Sequence, residues 1–166
     1  MSDMDHPKVQ PFTRQVASEL RLELSFVEFV FNTDRPECFR YWCEPVEGSW
    51  TCYIPDDVDV AYPLWACNGD QTLLLLADGQ ISYGKGYHDA LDMEMISRTS
   101  QGLLADVINL LYESETTEDE LRRAADLCGF RFLTEYLAFI KPRIPSERDW
   151  RGRWKSFIED IDLKST

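Results

Sequence analysis

A chain of 166 residues with 44% hydrophobic and 13% aromatic residues can fill one core of ordinary size, which excludes wholesale disorder. Its net charge of −13 argues against nucleic acid or an anionic membrane as partner, because phosphate binding relies on Lys and Arg. No apolar run approaches the roughly 20 residues of a bilayer-spanning helix, and the acidic start MSDMDHPKVQPF lacks a signal-peptide layout, so a soluble cytoplasmic protein is expected.

The charge is unevenly spread. Through Glu120 there are 23 Asp and Glu against 7 Lys and Arg, a balance of −16; from Leu121 onward the balance is +3. An acidic body attracts a basic partner and speeds the encounter, although the same charge also serves solubility. The five cysteines, Cys38, Cys43, Cys52, Cys67 and Cys128, form no C-x-x-C pair, so free thiols are expected. His6 and His88 are isolated, which leaves no clustered metal ligands, and no metal or cofactor is expected.

Taken in chain order, RQVASELRLELSFVEFVFN fits two periods. Leu20, Leu24, Val27 and Phe31 form a helical stripe, while Leu20, Leu22, Leu24 and Phe26 alternate as in a strand. The aromatic and β-branched density of FVEFVF predicts a short helix or coil running into a strand near residues 22–31. Pro36, Pro45, Gly48 and Pro55 then punctuate two predicted short strands, at 39–43 and 49–54, with a turn at 45–48.

The block NGDQTLLLLADGQISYGKGYHD predicts a β-meander. Strands at 72–77 and 81–83 flank Asp78-Gly79, and Asn68-Gly69 offers the same positive-φ chemistry one strand earlier. The unbroken LLLL predicts a strand covered on both faces. Lys85, between two glycines, reads as a solvated loop residue. His88 beside Asp89 reads as a surface histidine, since strand neighbours point to opposite faces.

Helices dominate the remainder. Leu103, Leu104, Val107, Leu110 and Leu111 form one stripe; Thr117 and Glu120 have capping-box spacing; Gly129 predicts a helix stop with Phe130 closing it. A further helix in FRFLTEYLAFI ends at Pro142 and Pro145. SERDWRGRWKSFIEDI places Trp150, Trp154, Phe157, Ile158 and Ile161 at helical spacing, either as a docking helix for a partner or packed on its own chain. The fold expected is α+β, an antiparallel β-meander packed against C-terminal helices. Residues 1–115 are expected to be mostly β, with 116–166 a helical extension on the same domain.

No enzyme signature is complete. GKG lacks the P-loop pattern, and DDVDV lacks the glycine and closing glutamate of a calcium loop. A carboxylate-dependent hydrolase or nuclease around PDDVD would need at least three of Asp56, Asp57, Asp59, Asp70 and Asp89 to meet in one concavity.

The run IPDDVDVAYPLWACNGDQTLLLLADGQISYGKGYHD, followed by RTSQGLLADVINLLYE, resembles the later half of a SUKH-superfamily domain over about residues 54–114. The correspondence lies in Pro63 and Trp65, the turn at 68–70, the strand at 73–76, the turn at Asp78-Gly79, the strand at 81–83 and the helix from Gln101. An earlier LP-x-x-(Y/F) helix and a first Asn-Gly are not evident before Trp50. The resemblance implies protein binding rather than catalysis, as in immunity proteins that cover a toxin's active site. The expected partner is a basic, nuclease-type toxin. Asp56, Asp57, Asp59, Trp65, Asp70, Asp89 and Asp92 are the expected contact residues, the carboxylates mimicking phosphate and Trp65 acting as an aromatic anchor. The remaining alternative is a homo-oligomeric scaffold, such as a dimer joined through the Trp150/Trp154 helix.

Overall fold

Two tight turns organise the centre of the molecule. Asn68 and Gly69 take φ of 50° and 88°, and Asp78 and Gly79 take 48° and 72°. Positive φ at both central positions gives the hairpin twist that matches its flanking strands. In this computed structural model, which describes residues 6–46, 52–143 and 147–166, these turns join β1 (Val60–Cys67), β2 (Asp70–Ala77) and β3 (Gln80–Gly86). β4 (Met93–Ser97) completes an antiparallel sheet in the order β1-β2-β3-β4. Leu73, Leu74 and Leu75 in β2 are fully buried, so the strand is covered on both faces as its composition predicts.

One face of the sheet sends Tyr62, Trp65, Leu74 and Tyr83 into the main core, while Ala61, Leu73 and Leu75 on the other face pack under Ile54 and Val58. The register shifts between Pro63 and Trp65, where Pro63 pairs with Leu73 but Trp65 pairs with Thr72. One extra residue reverses the alternation and turns Trp65 toward the helices. Pro63 is tolerated because β1 is an edge strand.

Three helices precede the sheet: α1 (Arg14–Glu19), α2 (Leu24–Phe31) and α3 (Glu37–Arg40). The strand expected over 22–31 is therefore a helix for most of its length. Its aromatic residues serve helix packing: Phe26 lies edge-on to Trp65 and Tyr83, and Phe29 edge-on to Trp65 and Phe39. The strand preference of such residues is largely a packing preference, and here the sheet supplies the surface they pack on. The strand expected at 39–43 is corrected too. Phe39 belongs to α3, and nearby Glu44 makes only an isolated bridge to Ala66. Of the strand expected at 49–54, residues 49–51 lie outside the described residues and 52–54 are not strand. The turn expected at 45–48 lies half outside them. The first 115 residues are thus not mostly β.

Beyond the sheet stand α4 (Ser100–Glu113), α5 (Glu118–Cys128), α6 (Leu133–Ile140) and α7 (Trp150–Ser165). The capping box forms with both of its hydrogen bonds, Thr117 Oγ1 accepting from the Glu120 amide and Glu120 from the Thr117 amide. Gly129 stops α5 at φ 77°, and the Phe130 N–H donates to the Ala125 carbonyl at 2.8 Å. α7 packs back on its own chain. Phe157, Ile158 and Ile161 are buried, Trp150 and Trp154 gather around Phe139, and Asp162 accepts the Arg98 N–H at 2.8 Å and the Thr99 N–H at 3.2 Å. The architecture is α+β, with the C-terminal helices packed on the sheet. Among the described residues no helix is long and apolar enough to cross a membrane.

Candidate functional site

Strand alternation aligns a row of side chains on the helix-covered face. Trp65 pairs with Thr72, Thr72 with Lys85, and Lys85 with Glu94. One row nearer the loops Cys67 pairs with Asp70, and Tyr87 follows just beyond β3. α4 contributes Leu103, Asp106, Val107 and Leu110 above these rows, and Trp42 contributes to the wall. Between them lies a cavity of about 170 Å³.

Its charged centre is an ion pair. Lys85 Nζ lies 3.6 Å from Asp106 Oδ2, and the two side chains are 19% and 20% exposed. That separation is too long for a hydrogen bond. Burial pushes the Asp106 carboxyl above the usual range; Lys85 opposes the shift, and Glu94 and Glu113 reinforce it. Lys85 is therefore a half-buried strand residue and not the solvated loop residue expected. Its flanking glycines belong to β3 for steric reasons. A Cβ on Gly84 would sit 2.9 Å from Met93 Sδ, and one on Gly86 would sit 2.7 Å from Cys52 Cβ.

Asp106 was not among the residues expected to act. The signal that points to it is its position as the one charge in GLLADVINLLY, an otherwise apolar helical stripe. Tyr87 donates its hydroxyl proton to Glu94, and burial followed by that carboxylate raises the Tyr87 pKa. Burial also raises the Cys67 thiol, with Glu44 adding to the shift, which keeps it from acting as a ready thiolate.

His88 is exposed, as expected, but its partner is Asp70 and not the adjacent Asp89. Asp70 Oδ1 lies 3.0 Å from His88 Nδ1 and accepts the His88 backbone N–H at 3.3 Å. The Asp70 hydrogen bond, then the Asp89 charge, raise the imidazole above its ordinary value. A cation gaining a partner on folding keeps that contact at low pH and loses it as pH rises through the folded value, which lies above about 6.5. An NMR titration of the His88 ring should show this raised value and a return toward the ordinary one in Asp70→Asn. An unchanged value in that variant would remove the pairing.

The expected contact residues divide between the two ends of the sheet. Asp59 accepts the Asp78 N–H at 2.9 Å, beside the β2–β3 turn. Asp56 and Asp57 are exposed between Ile54 and Val58, on the segment that packs over the second face, and Lys8 Nζ donates to the Asp56 carbonyl at 2.7 Å. Asp70, Asp89 and Asp92 belong to the other end, with Asp70 following the β1–β2 turn and the other two in the β3–β4 loop. The length of β2 sets the two turns about 23 Å apart. Trp65 does not join either group. At 2% exposure it is a core residue under α2, which corrects its expected role as an exposed anchor. Of the five carboxylates that a hydrolase reading would bring together, Asp70 alone lines the cavity. Among the described residues, no three of His, Cys, Asp and Glu are grouped so as to hold a metal ion.

The apolar tip missing from the expected set is Leu91. It is 92% exposed between Asp89 and Asp92, with Met95 also exposed on β4. Comparison with protein-family models, curated proteins and solved structures finds no match for this chain.

Proposed function

We propose that this protein is an acidic protein-binding module whose contact surface is the β3–β4 loop end of the sheet. The observation that carries this reading is Leu91, a bare leucine held between Asp89 and Asp92. Scattered surface leucines are ordinary, but an exposed leucine flanked along the chain by two exposed aspartates offers both elements of a protein contact. Leu91 supplies area to bury, and Asp70, Asp89, Asp92 and Glu94 supply the field that steers a basic surface toward it. Leu91 thus takes the anchoring role that Trp65 cannot fill.

The SUKH resemblance supports the more specific form: an immunity protein that acts in the cytoplasm by covering the cleft of a basic, nuclease-type toxin. The order of elements, a meander closed by a helix from Ser100, is the order that the resemblance implies. Toxins that act on nucleic acids carry basic clefts, and carboxylates at a loop tip mimic the phosphates such clefts receive. The acidic end at Asp56, Asp57 and Asp59 is the weaker candidate, because Lys8 lies against it.

The test is affinity for a basic nuclease domain, measured for the wild type and for two variants. Asp89→Lys combined with Asp92→Lys should weaken binding at least about tenfold, and Leu91→Ala should weaken it about threefold to tenfold. The corresponding reversal of Asp56 and Asp57 should change little. Equal losses from both ends, or none from either, would contradict this assignment.

A further inference from the structure

We propose that the cavity beneath α4 receives one guanidinium group, the arginine side chain of the basic partner. The partner's identity rests on the acidic-binding reading above; recognition of the cation rests on the cavity itself.

Size limits the occupant first. About 170 Å³ falls below the roughly 300–1,000 Å³ of pockets for drug-sized ligands, and equals the share of roughly five or six waters. A nucleotide or a redox cofactor does not fit. One planar head on a short aliphatic stem does.

Charge comes next. Two carboxylates, Asp70 and Asp106, line the space against a single ammonium, Lys85. Lys85 approaches Oδ2 of Asp106 only, at 3.6 Å, and among the described residues neither Asp106 oxygen accepts a hydrogen bond at ordinary distance. A half-buried carboxylate with Oδ1 unengaged and Oδ2 held only by the long Lys85 contact is an acceptor that a forked donor matches. The repulsion from Lys85 is offset in part by Glu94, its cross-strand neighbour, and by Asp70 at the same cavity, which is itself shared with His88.

A second feature points independently to an occupant. Thr72 is 5% exposed and lines the cavity, yet its hydroxyl has no hydrogen-bond partner among the described residues. That oxygen is open to the cavity and not sealed in the core, so it is placed to accept from an arriving donor. Trp42 and Trp65 are also in the lining, and an indole beside a flat cation favours it over a neutral group of the same shape. Asp70, in the lining, starts β2 at the end of the sheet where the β3–β4 loop carries Leu91, which links the cavity to that end.

The test uses n-butylguanidinium as probe, with n-butyrate as the anionic comparison, read by tryptophan fluorescence and calorimetry on the full chain. Saturable binding of n-butylguanidinium is expected. It should weaken at least about tenfold in Asp106→Asn and about threefold in Thr72→Val, with both variants melting like the wild type. Absence of saturable binding, an equal response to n-butyrate, or undiminished affinity in Asp106→Asn would overturn the proposal. If Asp106→Asn proves unfolded, undiminished affinity in Thr72→Val overturns it instead. A wild type that binds a basic nuclease domain but not n-butylguanidinium overturns the cavity assignment alone. The converse result supports the cavity and overturns the surface reading.

Discussion

Phe26→Ala is expected to destabilise the protein by about 3–5 kcal/mol, the range for removing a buried aromatic ring from a packed core. Phe26 is fully buried, and its ring lies edge-on to Trp65 at 6.4 Å and to Tyr83 at 5.9 Å, between centroids. Those two residues come from the sheet, so the phenyl ring is, with Phe29 against Trp65, one of the contacts that seat α2 on it. Against a total stability of about 5–15 kcal/mol, the loss is a large fraction of what holds the domain together. Chemical denaturation should show a lower midpoint with the slope unchanged. A loss under about 1 kcal/mol would contradict the placement of α2 across the helix-covered face.

Arg35→Ala should cost about 2–4 kcal/mol, chiefly by leaving buried carbonyls without donors. Arg35 is 8% exposed and donates to the carbonyls of Phe29, Val30 and Cys43 at 3.1, 2.6 and 2.5 Å. Two of these carbonyls close the last turn of α2, where a cation also complements the helix dipole. Its guanidinium stacks over the Phe29 ring at 4.8 Å, so packing is lost together with the hydrogen bonds. Arg35→Lys should recover only part of the stability, because an ammonium lacks the planar fork that reaches three carbonyls at once. Thermal unfolding of the two variants checks this, and full stability in Arg35→Ala would contradict it.

Those two residues also mark where the sequence stops being legible. Turn chemistry reads well because it is local. Asn68-Gly69, Asp78-Gly79, the Thr117 capping box and Gly129 each place a backbone constraint that neighbours a few residues away do not change. α2 reads poorly because its aromatic residues satisfy a strand period and a helix period equally, and the choice is made by a sheet that begins at Val60. Trp65 was misplaced for a related reason. The bulge after Pro63 exists only in the pairing of β1 with β2, and it decides which face the indole takes.

The candidate site was legible in part. The acidic imbalance and the residues Asp70, Asp89 and Asp92 come from the chain itself, and all three belong to one end of the sheet. The separation of Asp56, Asp57 and Asp59 from them depends on the run of β2 and was not visible in one dimension. The ion pair of Lys85 with Asp106 joins residues 21 positions apart, across the strand–helix layer. Glycines on either side of Lys85 suggested a loop, whereas in the fold they make room for Met93 and Cys52.

Capture of a basic partner by this protein depends on long-range attraction to the acidic loop end. Stopped-flow measurement of the association rate with a basic nuclease domain, across a salt series, tests it most directly. The rate should fall steeply as added salt shortens the screening length from about 30 Å toward about 3 Å, and the Asp89→Lys, Asp92→Lys variant should start lower and fall less. A rate that stays flat across the series, or an identical slope in that variant, would contradict it.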